Sequence, residues 1–261
     1  AGRANRLGVA RSSAVSAQFD DLVSMDLSRL DDIQSAVRQA RPGVIVHTAA
    51  LSSHEACQAD PGLAKLMNVD TTERLAQAAE EAGARFILIS TDAVFDGKRG
   101  DYREGDEVNP FSVYGETKFR GELRALAATN ALVLRTNFFG WSPTGSRSIL
   151  EFFVNELSAG HQVRGFTDFT VTSMYAQHLA RAIWELAHTD AIGIVNVASR
   201  DALSKYEFGT NVADRFNLPS GLITPVAADP NAIPARSRDL SLNTERLARI
   251  LGSPAPSQEE G

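Results

Sequence analysis

Short apolar runs alternate with helix-length segments along this chain, and that alternation restricts its fold more than any single motif does. Strands are expected near residues 7–11, 21–25, 43–47, 85–90 and 131–135, with helical patterns near 29–40, 61–82 and 113–128. Within 63–82, Leu66, Val69, Leu75 and Ala76 are spaced as one helix face packed on a sheet. Strand, helix, strand in succession requires crossovers, and crossovers give a parallel sheet covered by helices. The chain therefore reads as α/β with a doubly wound parallel sheet. After Thr136 the pattern loosens. Helices are expected near 147–159, 174–187 and 204–215, and short strands at Val163 to Phe166 and Ile194 to Val197.

Chemistry concentrates at Tyr114 and Lys118. They lie four residues apart on one expected helix, so both leave it on the same face. Thr91 precedes Tyr114 by 23 residues and ends the run Phe86-Ile87-Leu88-Ile89-Ser90. A phenol can give a proton to a carbonyl oxygen or take one from an alcohol. A free tyrosine titrates near ~10, and a neighbouring ammonium lowers that value. A shift of ~3 units needs about 4 kcal/mol, which Lys118 and a cationic nicotinamide would share. The Thr91 hydroxyl would hydrogen-bond the same oxygen. With four Tyr and four Lys in the chain, a chance pair at this spacing is expected ~0.06 times. The plain alternative is a surface helix carrying an aromatic and a charge.

Four stretches extend this site into a family pattern. They are Val44 to Ala50, Leu66 to Asp70, Ser90 to Gly97 followed by Asn109, Pro110, Tyr114 and Lys118, and Pro234 to Ser237 with Leu240 to Asn243. In this order they resemble the extended short-chain dehydrogenase/reductase superfamily, and within it the dTDP-4-dehydrorhamnose reductase branch. The resemblance implies a Rossmann-like fold with a smaller C-terminal substrate lobe. It implies NADPH-dependent reduction of a carbonyl on a nucleotide-linked 4-keto-deoxysugar, such as dTDP-4-dehydrorhamnose. Thr91, Tyr114 and Lys118 would be catalytic. Asp26 and Leu27 would lie beside the adenine, Thr48, Ala49 and Ala50 against the cofactor, and Asn137 near it. Asn68 would support the active site. Read from their own chemistry, His54, in the loop after the Thr48-Ala49-Ala50 turn, Asp92 and Arg236 would face the substrate, Arg236 forking onto diphosphate oxygens; the plain alternatives are an ordinary polar loop residue for His54, a carboxylate fixing loop backbone for Asp92 and a surface Arg beside Arg238 for Arg236. Arg11 and Ser12 end the second strand of the family's fold, where an Arg meets the 2′-phosphate of NADP; NADP(H) is favoured and NAD(H) stays open. Members often form homodimers.

Two positions depart from the family. Ala93 stands where the reductases usually carry Tyr, and Gln58 where an acidic residue is frequent. Both bear on the identity of the sugar. An epimerase or dehydratase is a sibling reading, and Ala93 argues against it because such enzymes need a further acid or base there. A non-catalytic reading is a regulatory subunit resembling the S-adenosylmethionine synthetase β subunit. A third is a fragment with no activity of its own.

The family opens with a glycine-rich turn that brings a pyrophosphate onto a helix N-terminus. No such turn is found, and Leu7 to Ser13 already reads like the family's second strand. The expectation is that roughly 25 residues, one βα unit, are absent from the N-terminus, with a natural protein lacking the unit as the alternative. Dinucleotide binding by this chain is then expected to be poor. The resulting domain division is 1–140 with parts of 166–190 for the dinucleotide, 141–165 and 191–252 for the lobe, and a disordered tail over 253–261.

Composition excludes a few classes. A net charge of −6 argues against a general nucleic-acid binder. No apolar run approaches the ~20 residues that span a bilayer, so no membrane role is expected. The single cysteine, Cys57, excludes an internal disulfide framework and fits the cytoplasm. The five histidines make no metal-ligand spacing with one another or with Cys57, so no metal is expected. His47 reads as a packed strand residue.

Overall fold

The computed structural model describes residues 7–10, 21–228 and 238–261. Its centre is a four-stranded parallel sheet in the order β10-β5-β4-β3. β3 spans Val44–His47, β4 Arg85–Thr91, β5 Ala131–Thr136 and β10 Gly193–Asn196. β4 and β5 are apolar on both faces because both faces are covered. Phe86 and Leu88 of β4 and Val133 of β5 pack with α1 (Leu30–Ala40) and α4 (Thr71–Ala82). Ile87, Leu132 and Leu134 point the other way, onto α7 (Ala176–Ala187) and α9 (Glu245–Leu251). The sheet is thus doubly wound, as the alternation requires. β1 (Leu7–Ala10) and β2 (Asp21–Ser24) pair in parallel as a separate two-stranded sheet. β3 is the edge of the larger sheet, and its Val44 and Val46 are about two-fifths exposed.

The helix expected over 61–82 is continuous but uneven. α3 (Pro61–Lys65) runs into a π-helical turn, Leu66–Asp70, before α4 begins. The wider turn places Asn68 inward, where it is fully buried. α5 (Val113–Ala125) crosses this segment at very close range. A Cβ on Gly121 would overlap the Asn68 carbonyl oxygen, and one on Gly115 would overlap the carbonyl of Ala93. Glycine is needed at both positions for lack of space rather than for unusual dihedrals.

The lobe has its own core. Phe153 and Leu157 of α6 (Ile149–Ser158), Val163 of β7 (Val163–Phe166), Phe208 and Val212 of α8 (Lys205–Arg215) and Ile223 of β12 (Ile223–Val226) form one cluster. β12 pairs with β7 in parallel. Two expectations about this region fail. Residues 191–252 do not all belong to the lobe, because β10 extends the central sheet beside β5 and α9 packs under it. The tail over 253–261 is packed, not disordered. Ala255 and Gln258 are buried, the Gln258 amide donates to Val171 O at 3.2 Å and Asp201 O at 3.1 Å, and Arg200 meets Glu260 at 2.8 Å. Its polar, proline-containing composition conceals those partners. No helix among the described residues is long and apolar enough to cross a membrane.

The contact between α5 and the π-helical turn is testable by adding one methyl group. Gly121→Ala should lower stability by about 1–3 kcal/mol through overpacking. Gly105→Ala, with nothing within 4 Å of the new Cβ, should stay within ~0.5 kcal/mol. Thermal unfolding of the two variants checks this; equal midpoints would contradict the close approach.

Candidate active site

The C-terminal ends of β3, β4 and β5 converge with the first turn of α5. Ser112 caps that helix, its hydroxyl accepting from Gly115 N at 3.1 Å, so α5 begins at Val113 and presents Tyr114 in its first turn. Lys118 follows one turn later and is buried. Its Nζ donates to Ile89 O of β4 at 2.7 Å. Thr91 closes β4 and is buried; its hydroxyl accepts from Ala93 N at 3.1 Å and is hydrogen-bonded to Tyr114. The structure therefore brings together the three residues expected to be catalytic.

Burial sets the electrostatics here. It pushes the Tyr114 phenol up to about 12; the Thr91 hydrogen bond pulls the other way, while Asp92 and Cys57 add to the rise. Lys118 lies one turn further along α5. The ammonium is turned onto the Ile89 carbonyl and faces Glu122, its neighbour one turn along α5. Burial lowers Lys118 to about 8, and Glu122 opposes that fall. The protein alone thus holds Tyr114 as a protonated phenol, the form that donates.

The other expected residues are placed as follows. His54 is not in a loop: it opens α2 (His54–Ala59), which is capped by Ser53. Its ring lies 4.9 Å from that of Tyr114 and 6.4 Å from that of Phe111. Asp92 is buried beside Thr91, and its carboxylate accepts from Asn137 Nδ2 at 2.8 Å. The Asn137 amide is therefore engaged in holding Asp92. Thr48, Ala49 and Ala50 follow β3, with Thr48 exposed and both alanines half-buried. Asp26 accepts from Ser28 ahead of α1, and the Leu27 carbonyl accepts from Thr71 at 3.2 Å. Arg11, Ser12 and Arg236 lie outside the described residues. His47 is buried as expected, with Nε2 lacking a hydrogen-bond partner among the described residues.

Two supporting charges were not anticipated. Glu122 and Arg135 form an ion pair at 2.7 Å with both side chains almost fully buried. Ser90 Oγ donates to the same carboxylate at 2.5 Å, and the Arg135 guanidinium lies 4.9 Å over the Phe95 ring. The available signals were a lone Arg in the apolar run Ala131-Leu132-Val133-Leu134-Arg135 and a Glu one turn beyond Lys118. Asn68 fastens the opposite wall. Its amide accepts from Leu51 N at 2.8 Å and donates to Leu51 O and Thr117 Oγ1, both at 3.0 Å. A separate cavity of about 650 Å³ opens in the lobe among Trp141, Tyr175, Phe208 and Phe216; Thr91, Tyr114 and Lys118 do not line it.

A tyrosine and lysine one turn apart beside a strand-end threonine, on a doubly wound parallel sheet, define a short-chain dehydrogenase/reductase. The chain belongs to the RmlD substrate-binding-domain family, whose profile matches residues 2–261. A probable low-salt glycan biosynthesis reductase, Agl14, from Haloferax volcanii is 30% identical over 247 residues, covering 92% of this chain and 82% of that protein. Methionine adenosyltransferase 2 subunit beta of Xenopus tropicalis is 31% identical over 230 residues, covering 84% of this chain and 68% of that one. The crystal structure of dTDP-4-dehydrorhamnose reductase from Bacillus anthracis in complex with NADP superposes with a TM-score of 0.86 at 22% identity. That match covers 100% of this chain and 97% of the other, and the likeness is one of fold.

The buried His47 makes stability depend on acidity. Burial, then the nearby Lys118 charge, lower its pKa to about 3, so the unfolded chain takes up the proton first. Its contribution is complete above the unfolded value near ~6.5 and is lost as pH falls from there toward the folded value. The loss is about 5 kcal/mol. Denaturant unfolding between these limits should show a steeper acid decline in the wild type than in His47→Leu; parallel curves would contradict the assignment.

Proposed function

We propose that this chain reduces the 4-keto group of a nucleotide-linked deoxysugar with NADPH. The observation that carries the reading is the Thr91, Tyr114 and Lys118 cluster, with the phenol protonated and hydrogen-bonded to Thr91. When bound, the nicotinamide supplies a hydride to the carbonyl carbon. Tyr114 gives its proton to the carbonyl oxygen, and Thr91 shares that oxygen. Lys118 carries three N–H donors, of which Ile89 takes one, so it retains capacity for a ribose hydroxyl. The exposed Thr48 and the small Ala49 and Ala50 leave room for a flat ring to approach the end of β3. Those features fit the cofactor. Arg11 and Ser12 favour the phosphorylated form, and the Bacillus anthracis structure holds NADP.

His54 and Phe111 wall the substrate side of Tyr114. Ala93 is buried and carries only a methyl group where the reductases usually have Tyr. The sugar is thus gripped by rings from α2 and from the segment ahead of α5. Arg236 completes the substrate set by meeting the diphosphate. A homodimer working in the cytoplasm completes this reading.

A second reading is a regulatory subunit, favoured by the 31% identity to methionine adenosyltransferase 2 subunit beta. Turnover separates the two. With NADPH raised to saturation, to offset the weak dinucleotide binding expected of this chain, and a 4-keto-deoxysugar nucleotide, followed by NADPH absorbance, the wild type should turn over. Tyr114→Phe should lose about a hundredfold to ten-thousandfold in kcat with KM little changed. Equal rates for the two, or none from either, would contradict the reductase reading.

A further inference from the structure

A chain of hydrogen bonds runs from the lobe side of the sheet to Thr91. Ser173 Oγ donates to Asn137 Oδ1 at 2.9 Å, and Asn137 Nδ2 donates to Asp92 Oδ2 at 2.8 Å. Thr91 Oγ1 donates to Asp92 Oδ1 at 3.0 Å and accepts from Ala93 N at 3.1 Å. Ser173, Asp92 and Thr91 are buried. Polarity along this chain is determined by what each group can do. An ionised carboxylate only accepts, so Thr91's single proton goes to Asp92. One lone pair on Oγ1 meets Ala93, and the other is left for the reacting oxygen. In that state Thr91 takes a hydrogen bond there, which suits an alcohol and opposes a carbonyl.

One proton on Asp92 Oδ1 reverses the contact. The carboxyl then donates to Thr91, both lone pairs of Oγ1 are engaged, and the hydroxyl hydrogen turns toward the reacting oxygen. We propose that Asp92 is the positioning residue that sets whether Thr91 gives or takes a hydrogen bond at the reacting oxygen, favouring carbonyl reduction when protonated and alcohol oxidation when ionised. The inference rests on the reductase reading above.

The surroundings make that proton available near neutrality. Among the described residues, the titratable group facing Asp92 is Tyr114 of α5. The end of β4, the residue after β5 and the segment before β9 (Met174–Tyr175) contribute Thr91, Asn137 and Ser173, all uncharged. Burial raises Asp92 to about 6, against the hydrogen bonds from Asn137 and Thr91, which lower it.

Asp92→Asn separates polarity from packing. Asn137 still needs an acceptor, so the new amide turns its oxygen there and its N–H₂ toward Thr91. The variant is then locked in the reducing polarity. Rates in both directions across pH, for wild type, Asp92→Asn and Ser173→Ala, test this together with an NMR titration of Tyr114 using carbon-labelled tyrosine. In the wild type, kcat for reduction should fall and for oxidation rise through a shared midpoint near the Asp92 value of about 6. Asp92→Asn should lose that limb, keep reduction and lose about tenfold or more in oxidation at high pH. Its Tyr114 pKa should drop by about one unit, tenfold in ionisation constant. Ser173→Ala frees Asn137 to flip, weakens its support of the carboxylate and should move the midpoint upward. An unaltered limb in Asp92→Asn, an unmoved midpoint in Ser173→Ala, or an unmoved Tyr114 would overturn the inference. A wild type with no turnover would sink the reductase reading alone, and the Tyr114 titration would then decide the relay.

Discussion

The buried ion pair between Glu122 and Arg135 holds the candidate site together. Glu122 belongs to α5, Arg135 to β5 and Ser90, which donates to the same carboxylate, to β4. Arg135 also donates to Glu104 O at 3.2 Å and lies over Phe95, which draws in the loop after the Thr91–Asp92 turn. Every element that supplies a reacting group is thereby tied to one carboxylate. A buried ion pair is weak evidence for net stability, since desolvation consumes much of the attraction. Its value here is geometric. Glu122 stands one turn from Lys118 and favours the charge on that buried ammonium.

Close backbone approach supplies the second constraint. Gly115 seats α5 on the Ala93 carbonyl, and Gly121 seats it on that of Asn68. Those contacts bring the helix carrying Tyr114 against the end of β4, while the π-helical turn directs the Asn68 amide to Leu51 and Thr117. The site then assembles outside the carboxyl ends of the strands, where open α/β sheets bind their ligands. Low water access does the remaining work. It keeps Tyr114 protonated, His47 neutral and Asp92 within reach of protonation.

Much of this was legible in the residues. The apolar runs marked β3, β4, β5 and the doubly wound class, because strands covered on both faces leave continuous apolar stretches. The spacing of Tyr114 and Lys118 and the hydroxyl at Thr91 marked the chemistry, because helix geometry dictates which side chains share a face. Other parts depend on contacts that no local pattern carries. The π-helical turn hides inside a regular helical spacing. α2, which presents His54, is too short to show a period. Ile194 to Val197 reads as a strand but not as a partner of β5, so on local pattern alone it falls with the lobe. The tail looked disordered because Gln258 finds its partners in Val171 and Asp201, 87 and 57 residues away. Arg135 was visible as a charge in an apolar strand, yet its partner is 13 residues back on a helix.

The most direct measurement of this account is a double-mutant cycle on Glu122 and Arg135, read by unfolding free energy and by the rate of keto-sugar reduction. With Glu122→Gln and Arg135→Met, each single change should cost about 3–5 kcal/mol, because it leaves an unpaired buried charge. The double variant should recover a large part of that stability while its reduction rate stays low, since a neutral helix–sheet contact no longer holds Lys118 and Tyr114 in register. Additive losses in stability, or a double variant with the wild-type rate, would show that the pair does not position the site.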